Sequence, residues 1–222
     1  MYEINNLTKH FKLGKESVSV FEDISFSVKK GDWIALTGSS GCGKTTLLHL
    51  LGGLDKPTSG EIVYKGQNLV KMSPRKRSLL RRKNIGFIFQ NFNLFPELNA
   101  LENVLLPTII ARLPKAVARK KAVELLELVG LSHRADHRPA QLSGGEQQRI
   151  AIARALVMEP DILLADEPTG NLDDENSNEI MKLFQDLHKK SGKTIIMVTH
   201  QKELTCFADR SIFLKDGSIL EV

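Results

Sequence analysis

Four short, continuous hydrophobic runs divide the chain and predict its buried strands. They cover residues 33–36, 87–89, 162–165 and 195–198, and none of them alternates with polar residues. An uninterrupted apolar run of this length is typical of a strand covered on both faces, as in a parallel sheet packed between helices. Helical stretches fall between the runs, so the pattern favours an α/β core.

Other patterns predict a separate antiparallel sheet and several helices. Residues 1–11 and 20–31 alternate between apolar and polar side chains, which indicates antiparallel strands ending in a Lys-Gly turn. Between Gln90 and Ser143 the chain is mainly helical, and we expect its prolines to interrupt it at Pro96, Pro107, Pro114 and Pro139. Apolar residues recur at helical spacing at Ala122, Leu125, Leu126 and Val129, and in part at Ile150, Ala153 and Val157.

The length of the chain bounds its domain organisation. A chain of 222 residues can bury one sizeable core but hardly two independent ones, so we expect a single domain over residues 1–222. Residues 1–90 and 141–222 should form the α/β core together with the antiparallel β subdomain. Residues 91–140 approximate an inserted helical subdomain.

Composition and charge narrow the choice of partners. The net charge is +5, and the densest basic run is RKRSLLRRK at residues 75–83. Leucines interrupt this run and no aromatic residues interleave for base stacking, so a solvated helix face is favoured over a nucleic-acid site. No apolar run approaches the ~20 residues that span a bilayer, and the first residues lack signal-peptide character, so we expect a cytosolic chain. Cys42 and Cys206 show no metal or redox spacing and should be reduced thiols.

A glycine-rich segment after the first predicted buried strand indicates a phosphate site. It reads GSSGCGKTT and matches the P-loop pattern G-x-x-x-x-G-K-[ST], just before an apolar helical stretch. Glycines allow positive φ and close backbone approach, and a helix N-terminus points N–H groups at an anion. Lys44 adds a full charge, and the Thr45 hydroxyl can ligate magnesium. We therefore expect nucleotide binding by Gly38, Ser39, Ser40, Gly41, Cys42, Gly43, Lys44, Thr45 and Thr46.

The third predicted buried strand ends in two acids, within DILLADE at residues 161–167. Carboxylates at the end of a buried strand are costly unless they are used or paired. Phosphoryl transfer needs charge neutralisation, a metal and an oriented nucleophile. Asp166 is thus a candidate to hold magnesium beside Thr45, and Glu167 a candidate to polarise the attacking water. A solvated acidic turn is the alternative when the strand is considered alone.

A further glycine-containing segment, LSGGEQQR at residues 142–149, opens another predicted helix. Ser143, Gly144 and Gly145 would offer a second anion-binding helix N-terminus, although a simple helix cap explains them equally well in isolation. Their place in the chain adds information. The order P-loop, Gln90, LSGGE, ADEPTGNLD and MVTH resembles the ATPase cassette of ABC transporters over essentially the whole chain.

This resemblance implies a P-loop NTPase (RecA-like) core that hydrolyses ATP with Mg²⁺. It also assigns roles by position. Phe11 stands where the family stacks an aromatic residue on adenine, with Tyr2 a weaker candidate. Gln90 resembles the glutamine that reaches magnesium and the attacking water, and His200 the histidine that contacts the γ-phosphate. The remaining positions resemble those that a second subunit contributes to a shared ATP site: Ser143, Gly144, Gly145, Glu146 and Asp173.

The resemblance further implies a second copy of the chain and integral membrane permease subunits as partners, no nucleic acid, and a peripheral position on the cytoplasmic face of the inner membrane. Among transporters, the wording is most similar to the lipoprotein-releasing (LolD-type) ATPases of Gram-negative bacteria, with macrolide or peptide exporters and cell-division ATPases close behind. A soluble ABC ATPase acting on ribosomes or DNA is the other class. A membrane-subunit groove is expected near Phe92, Leu94, Phe95 and Leu98, which could equally be ordinary core.

Overall fold

Two β-sheets carry the molecule, and this computed structural model describes residues 1–14 and 16–221. In chain order the strands are β1 (Tyr2–Leu13), β2 (Glu16–Val28), β3 (Trp33–Gly38), β4 (Ser59–Tyr64), β5 (Gln67–Asn68), β6 (Ile85–Phe89), β7 (Ile162–Asp166), β8 (Thr194–Val198), β9 (Arg210–Lys215) and β10 (Ser218–Glu221). In these ranges the larger sheet has the order β10-β9-β3-β8-β7-β6, and only its β9–β10 pair is antiparallel. The smaller sheet is antiparallel, with the order β2-β1-β4-β5. The predicted buried strands and the N-terminal antiparallel strands are therefore confirmed.

Helices cover both faces of the larger sheet. They are α1 (Lys44–Leu51), α2 (Pro74–Asn84), α3 (Ala100–Ile110), α4 (Lys115–Leu128), α5 (Gly144–Leu156) and α6 (Asp174–Ser191), with 3₁₀ turns at Ser132–Arg134, Pro139–Gln141 and Lys202–Phe207. Successive strand residues point to opposite faces. In β8, Ile196 and Val198 pack with α1, whereas Ile195 and Met197 pack with α5 and α6. The sheet is thus the middle of three layers, as its continuous apolar strands predict.

A third hydrophobic cluster lies apart from the sheet, among α3, α4 and α5. It contains the residues that recur at helical spacing, including Ala122, Leu126, Ile150 and Ala153. One proline prediction is wrong, because Pro107 lies inside α3 and does not interrupt it. A proline removes one backbone donor, and α3 ends only three residues later, at Ile110, so little of the helix depends on the missing bond.

The basic run and the two cysteines, both singled out from composition, have definite places in the fold. The basic run lies on α2, where Arg75, Lys76 and Lys83 are exposed and Leu80 packs against the core from a partly buried position. Cys42 and Cys206 are free thiols. Within the described ranges, no helix combines the length and the apolar character needed to cross a membrane.

Candidate nucleotide-binding site

The glycine-rich segment forms a tight turn between β3 and α1. Gly38, Gly41 and Gly43 all have positive φ, at 146°, 77° and 103°. A Cβ at Gly38 would lie 2.3 Å from the carbonyl oxygen of Leu214, and one at Gly43 would lie 2.4 Å from Val20. Both conformation and space therefore require glycine here, and the turn aims the N-terminus of α1 into an open cleft.

Lys44 closes this turn on itself. Its Nζ donates to the carbonyl oxygens of Gly38, at 3.0 Å, and Ser39, at 2.8 Å. The side chain is buried, so it cannot satisfy its charge with bulk water. A phosphate oxygen that reached this ammonium group would accept a charge-assisted hydrogen bond. The loop thus holds the cation in position for an anionic ligand.

Thr45 and Asp166 meet beside the turn, as the sequence predicts. The Thr45 Oγ1 donates to Asp166 Oδ1 at 3.0 Å. Burial raises the pKa of the Asp166 carboxyl, and the hydrogen bond from Thr45 offsets part of that rise. A hydroxyl and a carboxylate are oxygen ligands of the kind that Mg²⁺ prefers. Among the described residues no cluster of three or more His, Cys, Asp or Glu could hold a metal ion.

Parallel register brings the other predicted groups to the same edge. Phe89, Asp166 and Val198 are aligned across β6, β7 and β8, so the residues that follow them share the carboxyl edge of the sheet. Glu167 has a left-handed backbone, with φ at 46°, which is strained for a residue with a side chain. Its Oε2 lies 3.1 Å from His200 Nδ1. The predicted catalytic pair is therefore in direct contact.

Gln90 reaches this edge, but its side chain makes a different contact. Its Nε2 donates to Asn171 Oδ1 at 3.1 Å, and Asn171 Nδ2 donates back to the Gln90 carbonyl at 3.1 Å. Gly170 packs so closely against Gln90 that a Cβ on Gly170 would lie 2.7 Å from the Gln90 side-chain amide nitrogen. The pairing of Asn171 with Gln90 becomes visible only in the fold.

A cleft of about 640 Å³ opens over these groups. It is lined by Phe11, Val20, Ser40, Gly41, Gly43, Lys44, Thr45, Thr46, Glu167 and His200. The Phe11 ring is 44% exposed, and Lys9 Nζ lies 4.6 Å from its centroid. Ser39 and Cys42 line an adjoining cleft of about 550 Å³, on the other side of the turn. One opening therefore contains an exposed aromatic face, the glycine-rich turn, and Thr45, whose hydroxyl is bonded to Asp166.

Ser143 begins α5 away from this cleft. Its side chain accepts from the Glu146 backbone N–H, and Glu146 accepts from the Ser143 N–H in return, which forms a capping box. The Ser143 backbone bond lowers the pKa of Glu146, as does Arg134 at 3.0 Å, and together they outweigh the opposing effect of burial. None of the residues that line the 640 Å³ cleft comes from 143–146 or is Asp173.

The first turns of α5 and α6 pack closely together. A Cβ on Gly145 would lie 2.0 Å from Asn176 Oδ1, so a larger residue at this position would displace the Asn176 side chain. Asp173 caps α6 by accepting from the Asn176 backbone N–H at 2.8 Å. Ser143 and Asp173 are both exposed. In one chain, then, these groups form a second polar surface that lies outside the chain's own P-loop cleft.

Arg154, near the end of α5, is a functional candidate that the sequence reasoning missed. Its Nη2 donates to the Phe92 carbonyl at 2.8 Å and its Nη1 to the Asn93 carbonyl at 2.5 Å. Phe92 and Asn93 both have left-handed backbones, with φ at 57° and 50°. Two adjacent strained residues persist only where their surroundings hold them, and here one partly buried guanidinium does so.

A parallel sheet with a P-loop, a Thr–Asp pair and a Glu–His pair at its carboxyl edge defines a P-loop ATPase. The profile of the family described as ABC transporter matches residues 21–170. The chain belongs to this family, and ATP is its nucleotide, with Mg²⁺ the usual ion of the family.

Individual relatives agree with this assignment. The chain is 47% identical to the macrolide export ATP-binding/permease protein MacB of Chlorobaculum tepidum, over 100% of this chain and 34% of the relative, so it spans about a third of that protein. It is 48% identical to the uncharacterized ABC transporter ATP-binding protein MJ1508 of Methanocaldococcus jannaschii, over 100% of this chain and 99% of the relative.

Solved structures give the same answer for the fold. The dimeric post-hydrolysis state of the ATP-binding cassette MJ0796, bound to ADP and Pi, has a TM-score of 0.92 at 41% identity and covers 100% of this chain and 98% of its own. A second dimeric structure of MJ0796, described as a bacterial ABC transporter cassette, has a TM-score of 0.91 at 42% identity, with 99% and 96% covered. The predicted ABC cassette fold is confirmed.

Proposed function

We propose that this chain is the energy-coupling subunit of a membrane transporter and that two copies hydrolyse ATP between them. The observation that carries the proposal is that the P-loop cleft and the N-terminus of α5 are separate surfaces of one chain. The P-loop cleft is open to solvent, and the exposed start of α5 lies outside it. A second chain that placed its α5 over the cleft would complete the site, and the dimeric state of the similar MJ0796 cassettes supports pairing of two copies.

Within this proposal each residue has a stated task. Lys44 and the α1 N-terminus hold the phosphates, Thr45 and Asp166 hold Mg²⁺, and Phe11 stacks on the adenine. When bound, Mg²⁺ supplies charge neutralisation between the phosphates. Glu167 orients and polarises water, and His200, in contact with Glu167 at 3.1 Å, lies within the same cleft to reach the terminal phosphate.

Gln90 joins the site only after a rearrangement, in this proposal. Its amide must leave Asn171 to reach the metal or the attacking water, since the two side chains bond each other in this structure. Ser143, Gly144, Gly145, Glu146 and Asp173 act on the nucleotide held by the other copy. If the Gln90 side-chain amide exchanged Asn171 for the metal or the attacking water, that change would report nucleotide occupancy to residues 91–93, which follow Gln90 directly.

The proposed groove for a membrane subunit lies beside these residues. It has a volume of about 460 Å³ and an apolar wall that includes Phe87, Phe89, Leu106, Pro107 and Ile110. The four residues suggested by the sequence do not line this groove: Phe92, Leu94, Phe95 and Leu98. Of these, Leu94 packs against the cluster of α3, α4 and α5. An amphipathic helix from a partner is the natural occupant of an open apolar groove.

The type of transporter is proposed from the relatives. The macrolide exporter MacB matches across this whole chain, which supports an exporter-type system. Lipoprotein release is the second candidate, supported by the segments LLGGLDKPTSGEI and LLADEPTGNLDDEN. Co-purification of the native complex, followed by identification of the membrane proteins present, separates the two systems.

The coupling role can be tested at two neighbouring residues of α3. Ile110 is 60% exposed and lines the groove, whereas Ile109 is 65% exposed and does not. We expect Ile110→Asp to abolish co-purification with the membrane subunits and the stimulation of ATPase activity that they cause, with basal activity unchanged. Ile109→Asp is the matched control and should behave like the parent. Equal loss in both variants, or in neither, would contradict docking at this groove.

A further inference from the structure

The positive charge of the chain is concentrated in one segment. Residues 62–96 contain eight Lys or Arg and no Asp or Glu, a net charge of +8, whereas the whole chain carries +5. The rest of the chain therefore has a net charge of −3, by subtraction. The ATP site does not account for this asymmetry, because none of the residues that line its cleft falls within 62–96.

Most of this charge lies on α2, where the structure organises it into a stripe. Lys76, Leu79, Leu80 and Lys83 recur at helical spacing and face a depression of about 370 Å³, together with Lys65 and Met72. Leu79 is 43% exposed. Lysine ammonium groups around an apolar depression match an amphiphilic anion, since the lysines can reach a lipid headgroup while the leucines contact acyl chains.

The charges of this stripe are largely available to an outside ligand. In the segment, Lys65 is paired with Asp161 at 2.7 Å and Lys71 with Glu61 at 3.0 Å. Arg81 and Arg82 donate to the carbonyls of Gly53 and Ile110. By contrast, in the described ranges Arg75, Lys76 and Lys83 are exposed and have no carboxylate within 4.0 Å.

We propose that the exposed face of α2 binds the acidic phospholipid surface of the membrane. Polybasic helices are attracted to anionic leaflets by about 1 kcal/mol for each Lys or Arg near the surface. A nucleic acid is the less suitable ligand, because the depression contains leucine and methionine and its one aromatic residue, Tyr64, is buried. The inference goes beyond ATP hydrolysis and assigns this surface a role in membrane attachment.

The position of α2 in the molecule supports an orientation in which its exposed face meets the lipid surface. Ser78, Arg81 and Arg82 on its opposite side line the apolar groove proposed for a membrane subunit, so α2 separates that groove from the cationic depression. A membrane protein seated in the groove would bring the lipid surface toward the same side of the molecule. This step alone rests on the proposed function, whereas vesicle binding can be measured without a membrane subunit or a nucleotide.

Vesicle sedimentation tests the proposal with the full chain. We expect binding to vesicles of equal parts phosphatidylglycerol and phosphatidylcholine, no binding to phosphatidylcholine alone, and loss of binding as salt is raised. The triple variant Arg75→Gln/Lys76→Gln/Lys83→Gln should bind the acidic vesicles about 100-fold more weakly, from about fivefold for each charge removed. Basal ATPase activity should be unchanged, which also shows that the variant is folded.

A matched control removes the same charge elsewhere. Lys115→Gln/Arg119→Gln/Lys189→Gln takes three exposed bases from α4 and α6 and should bind acidic vesicles like the parent. Equal weakening of both triple variants would mean that net charge alone attracts the chain, and would overturn the proposal. So would unchanged binding of the α2 variant, or binding of the parent to duplex DNA but not to acidic vesicles.

Discussion

Lys44 satisfies its charge within its own loop, and ATP binding must exchange those bonds for phosphate contacts. We expect Lys44→Ala to lower ATP affinity at least about tenfold, because charge-assisted hydrogen bonds contribute about 1.5–3 kcal/mol each. Titration calorimetry measures the affinity, and thermal unfolding checks that the fold remains. Lys115→Ala is a suitable control, since Lys115 is an exposed lysine of α4 outside the ATP site and this variant should keep the parent affinity. An unchanged affinity in Lys44→Ala would refute the role assigned to this lysine.

Individual side-chain partnerships were the least predictable feature of the chain. The sequence motifs identified Lys44, Thr45, Asp166 and Glu167 because each phosphate-binding task needs that residue type at that spacing. No such rule points to Asn171 as the partner of Gln90, since 81 positions separate them. Arg154 likewise holds Phe92 and Asn93 across about sixty positions, and nothing in a helical apolar pattern marks it. Such contacts depend on the packed fold.

Among the strands and helices, continuous apolar runs were reliable because burial on both faces leaves no polar position at the centre of β3, β6, β7 or β8. The apolar pattern does not reveal β9, which pairs in parallel with β3, because Arg210, Ser211 and Lys215 dilute its apolar residues. The prediction that Pro107 interrupts a helix rested on the rule that a proline removes a backbone donor. That rule has little effect here, because α3 ends only three residues after Pro107, at Ile110.

Asp161 joins several of these elements. It accepts from Lys65 at 2.7 Å, from Asn84 at 2.6 Å and from Tyr64 at 3.3 Å, and so links the start of β7 to the smaller sheet and to the end of α2. Burial alone would raise the pKa of the Asp161 carboxyl, but these hydrogen bonds outweigh it and lower the pKa. A lowered pKa in the folded state stabilises the fold above the unfolded value of about 3.9, and this contribution is lost as pH falls through the folded value.

We therefore expect Asp161→Asn to reduce the free energy of unfolding by about 1 kcal/mol at neutral pH, a modest figure because Lys65 is about half-exposed. The difference from the parent should stay constant between about pH 7 and pH 5 and shrink below about pH 4. Urea unfolding across this range measures it. Asp136→Asn, at an exposed aspartate, should show no such change. A difference that grew toward acid pH would contradict a lowered pKa for Asp161 in the folded state.

For the molecule as a whole, the open cleft predicts assembly controlled by ATP. Glu167→Gln keeps the shape of the side chain but cannot polarise water as a carboxylate does, so ATP should bind and persist. We expect this variant to form a stable dimer with MgATP and to be monomeric with MgADP, as measured by sedimentation. Adding Ser143→Arg should abolish the dimer while ATP binding to the P-loop continues, because Ser143 lies outside the chain's own cleft. A Glu167→Gln chain that binds ATP yet stays monomeric, alone and with its membrane partners, would count against the shared site.

The two ends of α5 lie in different places, and this has a mechanical consequence. Ser143 caps one end at the surface proposed to meet the other copy, and Arg154, near the other end, lines the groove while holding Phe92 and Asn93. The helix between them spans about 16 Å at about 1.5 Å per residue. A hydrogen-bonded helix resists compression along its axis, and the Arg154 guanidinium is bonded to two carbonyls. The helix α5 is therefore a rigid connection between the two surfaces. A displacement of the first turn of α5 along the helix axis would therefore be transmitted almost fully to the groove wall.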